Sequence, residues 1–296
     1  MEHSNELQNL LDKLELETGI QFTVSSSYLS DADTLQKIKD IFQDYQMNNS
    51  RTSFLQQFLT GHMTAEEISK GAHRFHMEES TLRVLFLLAF KQPYDASVLT
   101  ILSSLFAMGA DDIIEIDKTH IVMIRQLKAP ISPEETEQMA LNMLDTLNTE
   151  AMLSVKIAFA GTAERLSQLP LLYQNAFSAL EIGNVFYSAE SILSYQKLGL
   201  GKLIHSLPRE ACEEYLREKL NDIDLYQLDE ETLHTIHTFF DSGLSIAESA
   251  RQLYIHRNTL VYRLEKIQKL TGLDIRQFDD AVTCKIAMML SDYLHG

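Results

Sequence analysis

Apolar positions along this 296-residue chain change their period twice, and each change marks a boundary. Residues 1–50 predict a helix, a short apolar strand around Ile20 to Val24, and a second helix. That helix opens at Ser30-Asp31 or Asp33, with Leu35, Ile38, Phe42 and Tyr45 on one face. Residues 51–80 read as connecting helices. Phe54, Leu55, Phe58 and Leu59 form one helical stripe closed by Gly61, and Ala65, Ile68, Ala72 and Phe75 form another after Thr64.

From residue 81 to about 205 strands and helices alternate. Leu82 to Phe90 is continuously apolar, as a central strand covered on both faces must be. A helix follows with Val98, Ile101, Leu102 and Leu105 inward and Gly109 as its stop. Ile113 to Ile116 and Ile121 to Ile124 flank the polar interval Asp117-Lys118-Thr119, which has the length of a hairpin turn. Ser132-Pro133-Glu134-Glu135 combines a capping hydroxyl, a proline at the first helical position and a reciprocal glutamate, so a helix starts there. Leu153 to Ala160 predicts a strand, Leu171 to Ile182 a helix and Ile192 to Tyr195 a last strand. The order β-α-β-β-α-β-α-β implies an α+β sandwich with a ferredoxin-like core.

Beyond residue 200 the apolar spacing is helical to the end. Residues 206–227 predict linker helices broken by Pro208 and an acidic stretch from Asp222 to Glu231; residues 228–296 predict an all-α domain. Within it Ile246, Ala250 and Leu253 face inward on one short helix, and the small residues at 247, 249 and 250 let a second helix cross closely. A turn at Tyr254-Ile255-His256 leads to that second helix, which buries Leu260, Leu264 and Ile267. Two short helices joined by a tight turn are the helix-turn-helix arrangement.

Charge first argues against nucleic acid and then for it. The chain carries −17 in total, which repels a polyanion. Between Ser245 and Arg276, however, six basic residues (Arg251, Arg257, Arg263, Lys266, Lys269 and Arg276) face three acids (Glu248, Glu265 and Asp274). That segment is +3 and the remainder is −20, a basic module on an acidic body. Away from the buried stripe the second helix presents Arg257, Asn258, Val261, Tyr262 and Glu265, with Thr259 and Arg263 on the flanks. Arginine can donate to guanine and asparagine can pair with adenine, while threonine or tyrosine can hold phosphate. Composition alone leaves open a solvated basic helix packed on its own domain.

Resemblance separates the two. The string Ala-Arg-Gln-Leu-Tyr-Ile-His-Arg-Asn-Thr-Leu-Val-Tyr-Arg-Leu-Glu-Lys-Ile, residues 250–267, resembles the C-terminal domain of the PucR/CdaR family of bacterial regulators. Its Arg-Asn-Thr-Leu portion also looks like the Fis-type helix-turn-helix. The likeness continues through Thr271-Gly272-Leu273-Asp274 and the closing helix from Phe278 to Leu294. It implies that His256, Arg257, Asn258, Thr259, Tyr262 and Arg263 contact double-stranded DNA, with Leu260 and Leu264 in the core. His256 is open to a second role, capping the helix. Lys266 is expected on phosphate. The segments Ser154 to Gly161, Tyr173 to Gly183 and Leu193 to Leu203 are similar to the GGDEF-like domain of that family, which makes residues 81–205 GGDEF-like. The first fifty residues lie outside the resemblance.

Catalysis and metal binding are not expected. A cyclase of the GGDEF type needs hairpin glycines, whereas the corresponding hairpin here is Ile116-Asp117-Lys118-Thr119-His120. Asp111, Asp112, Glu115 and Asp117 read as a solvated acidic edge ahead of a cation site. His73-x-x-His76 and His234-x-x-His237 lack the context of a zinc site. Cys212 and Cys284 are too far apart to suggest a disulfide framework and are expected as buried thiols. The longest apolar run, Val84 to Phe90, cannot span a bilayer, and no secretory signal is visible, so a cytoplasmic protein is expected. The combined expectation is a non-enzymatic, DNA-binding transcriptional regulator, homodimeric because one short helix reads few base pairs, and responsive to a small-molecule effector. The alternative is a ligand- or nucleotide-binding sensor in which DNA contact is secondary or lost.

Overall fold

A computed structural model describes residues 50–105, 111–220 and 228–295, together with 8–13, 15, 21, 34, 36–39, 223 and 225. Before residue 50 the described positions 8–13, 15, 34 and 36–39 are helical. The strand expected at Ile20 to Val24 lies outside the described residues apart from Gln21, and the helix stop expected at Gly109 also lies outside them. The chain divides into two compact units, one of residues 1–155 and 161–174, the other of residues 156–160 and 175–296.

In the first unit, α1 (Arg51–Leu59) is opened by Ser50, whose side chain accepts the Ser53 N–H, and it buries Phe54, Leu55, Phe58 and Leu59. Gly61 follows with φ +77°, the left-handed conformation that commonly ends a helix. Helix α2 (Ala65–Arg74) starts at a capping box formed by Thr64 and Glu67. His76 falls beyond the end of α2 with φ +51°, so it does not share a helix face with His73. Strand β1 (Arg83–Phe90) is buried along nearly its whole length, as its apolar run requires. Helix α3 (Ala96–Leu105) buries Val98, Ile101 and Leu102. Strands β2 (Asp112–Glu115) and β3 (His120–Gln126) pair antiparallel across the expected hairpin, and β3 pairs antiparallel with β1, Phe86 opposite Met123. Helix α4 (Pro133–Glu150) begins at the Ser132/Glu135 capping box with proline in its first turn.

Strand β4 (Val155–Ala163) and helix α5 (Leu169–Phe186) follow, then β5 (Ile192–Ser194), which runs parallel to β4 with Ala158 opposite Leu193. The five strands form one sheet in the order β2-β3-β1-β4-β5, and from β1 to β5 the chain order of strands and helices is the one expected from the apolar pattern.

In the second unit the remaining elements are helical: α6 (Gly199–His205), α7 (Arg209–Leu220), α8 (Glu230–Asp241), α9 (Ile246–Gln252), α10 (Arg257–Thr271) and α11 (Phe278–His295). Helix α7, within the predicted linker, buries Cys212 and Leu220. Cys212 packs with Ile204, Met289 and Leu290, and Arg209 donates to the Leu294 carbonyl at 2.7 Å, so α6 and α7 share a core with α11. Leu260, Leu264 and Ile267 of α10 meet Ile236 and Phe239 of α8, Ala250 of α9, and Ala281, Cys284 and Ala287 of α11. Each fully buried Leu or Ile side chain contributes about 1.5–3 kcal/mol by leaving water, so this cluster is what holds α10 in place. Among the described residues, no helix is long and apolar enough to cross a membrane.

Candidate nucleic-acid interface

Helices α9 and α10 form the compact pair that the sequence predicts. Ser245 opens α9 by accepting the Glu248 N–H, and Ser249 and Ala250 are buried where the neighbouring helices approach. Small side chains are needed there because a larger one would push the helices apart. Tyr254 lies in the turn with φ +54°. Few non-glycine residues adopt that conformation, and here it falls in the four-residue interval between the two helices. Ile255 donates to the Ala250 carbonyl at 3.0 Å, which ties the turn back onto α9.

His256 opens α10. Its Nδ1 accepts the Asn258 N–H at 3.2 Å, satisfying one of the backbone donors that a helix start leaves unpaired. Of the two roles left open by the sequence, the structure shows the cap. Gly272 ends the helix at φ +77°, its N–H donating to the Gln268 carbonyl. Between these ends Leu260, Leu264, Ile267 and Thr271 are buried, at the spacing that keeps one face of a helix inward.

Arg257, Asn258, Thr259 and Tyr262 are all exposed, and Tyr262 is 69% accessible. Tyr254 adds a fifth exposed side chain, 95% accessible, from the turn. In the sequence Tyr254 reads only as a turn residue. The clue was an aromatic side chain in an interval where burial was not needed. These five residues cluster around the N-terminal end of α10, the positive end of the helix dipole.

The cations are distributed differently from a simple basic face. Arg251 pairs with Glu248 at 2.7 Å and Arg276 with Asp274 at 2.6 Å. These pairs hold both carboxyls below the usual carboxylate range, Glu248 through its hydrogen bonds from Arg251 and Gln252, Asp274 through its bond from Arg276. Arg263, also expected at the DNA, directs its guanidinium to α8, donating to Glu231 Oε1 at 2.6 Å and to Thr235 Oγ1 at 3.3 Å. Only 23% of its side chain is accessible. Lys266, one turn further on, lies 3.4 Å from Asp229 with both side chains about half exposed. Asp229 also caps α8, and its bonds from Thr232, with Lys266 nearby, keep its carboxyl below the ordinary range. Sequence could not show this, because Glu231 and Asp229 stand more than thirty positions from their partners. Arg257 and Lys269 are exposed and have no ion pair among the described residues.

The acidic hairpin also differs from a solvated edge. Arg51 donates twice to Asp112, at 2.6 and 2.9 Å, and Tyr94 donates to Glu115 at 3.1 Å. Asp117 accepts the N–H groups of Thr119 and His120 at 2.7 and 2.9 Å, closing the β2–β3 turn. Asp111 lies 4.0 Å from Arg125, and burial pushes its carboxyl above the usual range. The acids here are partners of their own fold. Among the described residues, no group of three or more His, Cys, Asp or Glu is arranged to hold a metal ion.

Residues 232–290 match the family model described as the PucR C-terminal helix-turn-helix domain. The chain is 25% identical over 169 residues to the purine catabolism regulatory protein of Bacillus subtilis (strain 168). It is 43% identical over 135 residues to the uncharacterized protein YsfB of the same organism. With the carbohydrate diacid regulator of Escherichia coli (strain K12) the identity is 29% over 120 residues. These matches cover 55%, 46% and 40% of this chain and 32%, 35% and 31% of the respective relatives. The chain thus spans about a third of the length of these curated relatives.

Proposed function

We propose that this chain, a PucR/CdaR-type regulator by its C-terminal domain, acts as a sequence-specific DNA-binding transcription regulator that reads an operator through the N-terminal end of α10. The observation that carries the proposal is the exposed group Arg257, Asn258, Thr259 and Tyr262, held outward by the buried face Leu260, Leu264 and Ile267 of the same helix. A recognition helix contacts base edges with its first residues, and arginine and asparagine supply the bidentate donors and acceptors that discriminate bases. Tyr254 and Tyr262 offer exposed hydroxyls to sugar and phosphate, and Lys266 needs to break only a weak surface pair to reach phosphate. His256 contributes by fixing the start of the helix.

One α10 reads only a few base pairs, so the functional species is a homodimer on a two-fold operator. The middle region, with its β-α-β-β-α-β-α-β order, is a GGDEF-like domain without catalysis, its hairpin acid engaged in the turn. Its place of action is the cytoplasm, where the DNA is.

The test is selection of bound sequences from a random duplex library by the full chain, followed by salt titration on the selected site. Affinity should fall with salt with a slope of about −0.9 per phosphate neutralised. Arg257→Ala should lose on the order of 1–3 kcal/mol of discrimination at one base position. No selected sequence, or a flat salt dependence, would sink the proposal.

A second reading, a small-molecule sensor, draws on one observation. An open cavity of about 490 Å³ is lined by Ser178, Ile182, Tyr195, Lys202, His205 and Ser206 in the second unit. That volume suits a small metabolite. Thermal-shift screening against nucleotides and catabolites tests it, since a ligand that prefers the folded state raises the melting temperature.

A further inference from the structure

Among the described residues of the C-terminal domain, Arg263 and Glu231 form the shortest ion pair between two helices, 2.6 Å. Arg263 lies on α10 three positions before Lys266, so both cations point to one side of the helix. On α8, Glu231 and Thr235 are four positions apart and likewise share a side. The Arg263 fork spans them, one arm on the Glu231 carboxylate at 2.6 Å and the other on the Thr235 hydroxyl at 3.3 Å. Thr235 in turn donates to the Glu231 carbonyl at 2.7 Å, which fixes its hydroxyl for the arginine. A planar guanidinium bonded at two points sets an angle as well as a distance; an ammonium group cannot do that.

We infer that Arg263 is a positioning residue, which sets the angle of α10 on α8 and so aims Arg257 and Asn258 into the groove, and that it does not itself contact DNA. The inference rests on the DNA-reading role of α10. To reach phosphate, Arg263 would have to release Glu231 and Thr235 together and leave the Glu231 carboxylate beside the polyanion. Lys266 does not share this role. Its contact with Asp229 is long, single-point and half exposed, so it is free to turn to phosphate.

The two roles predict opposite results. Full-length Arg263→Ala, Arg263→Lys and Glu231→Gln would be compared with wild type on the selected operator and on a non-operator duplex of equal length, across a salt series. Thermal melts would establish that each variant is folded at the assay temperature. Positioning predicts that all three weaken operator binding by roughly tenfold or more, the scale of losing a hydrogen bond to a charged group. Non-operator binding and the salt slope should stay as in wild type. The double variant Arg263→Ala/Glu231→Gln should be no weaker than either single one, because the two residues act as a unit.

A phosphate contact predicts otherwise. Arg263→Lys would then be close to wild type, Arg263→Ala would weaken both duplexes alike and flatten the slope by about one unit, and Glu231→Gln would tighten binding. Any of those results overturns the inference. A wild-type chain that selects no sequence overturns the DNA-reading role as well, whereas selection by wild type with unaltered variants overturns the positioning role alone.

Discussion

His256 Nδ1 accepts the backbone N–H of Asn258 at 3.2 Å, so the imidazole that opens α10 is engaged by the helix it starts. Losing the acceptor leaves a backbone donor without its partner. His256→Ala should destabilise the C-terminal domain by about 1 kcal/mol, the typical worth of an N-cap, whereas His256→Asn, itself a preferred cap, should stay near wild type. Urea unfolding followed by circular dichroism measures both. Equal stability of all three proteins would show that the cap contributes nothing.

At the other end of α10, Gly272 holds φ +77° and an added Cβ would meet nothing within 4 Å. The cost of Gly272→Ala is therefore backbone strain with no steric clash, about 1–2 kcal/mol. Gly272→Asn should cost less, since asparagine tolerates the left-handed region. The expected signature is a lower urea midpoint at unchanged slope.

Two aspartates of the second unit should respond to pH with opposite sign. Burial raises the Asp292 carboxyl above its ordinary range, although His237, Lys285 and His295 oppose the shift. Ionising it costs the folded state more than the unfolded one. The cost is absent below the ordinary aspartate value, sets in as pH rises through it, and is complete above the raised folded value. Asp292→Asn should raise Tm near neutrality and change it little in acid. Asp274 is held low, first by its hydrogen bond from Arg276. It contributes stability above the ordinary value that is lost as pH falls through the depressed one, so Asp274→Asn should lower Tm near neutrality and change it little once both states are protonated. Scanning calorimetry across pH separates them.

Both cysteines are free and buried. Burial pushes the Cys284 thiol up to about 11 and raises that of Cys212. Little thiolate exists at mildly alkaline pH, and the reactive species is the thiolate. Alkylation read by mass spectrometry should label neither site in the native protein within the time that labels both in denaturant. Fast native labelling of Cys284 would contradict the packing of α11.

Much of the fold is written in local patterns. Ser132 with Glu135 starts α4, Gly272 stops α10, and the apolar run at Val84 to Phe90 becomes β1, because caps, left-handed glycines and buried strands are set by residues within a few positions of one another. The inward face of α10 was legible for the same reason: Leu260, Leu264 and Ile267 fall at helical spacing whatever they pack against.

What the sequence by itself determined, then, was the order of the elements beyond residue 50, the helix-turn-helix pair and the face of α10 that turns outward. Tertiary structure decided which charges are already taken. Arg257 and Arg263 look alike in the chain, six positions apart on one basic helix. Only the fold brings Glu231 and Thr235 of α8 to the second and leaves the first in solvent. The same holds for Asp112, which Arg51 meets from 61 positions away. The physical reason is range. Backbone periodicity is a local property, whereas an ion pair depends on where helix packing brings distant segments.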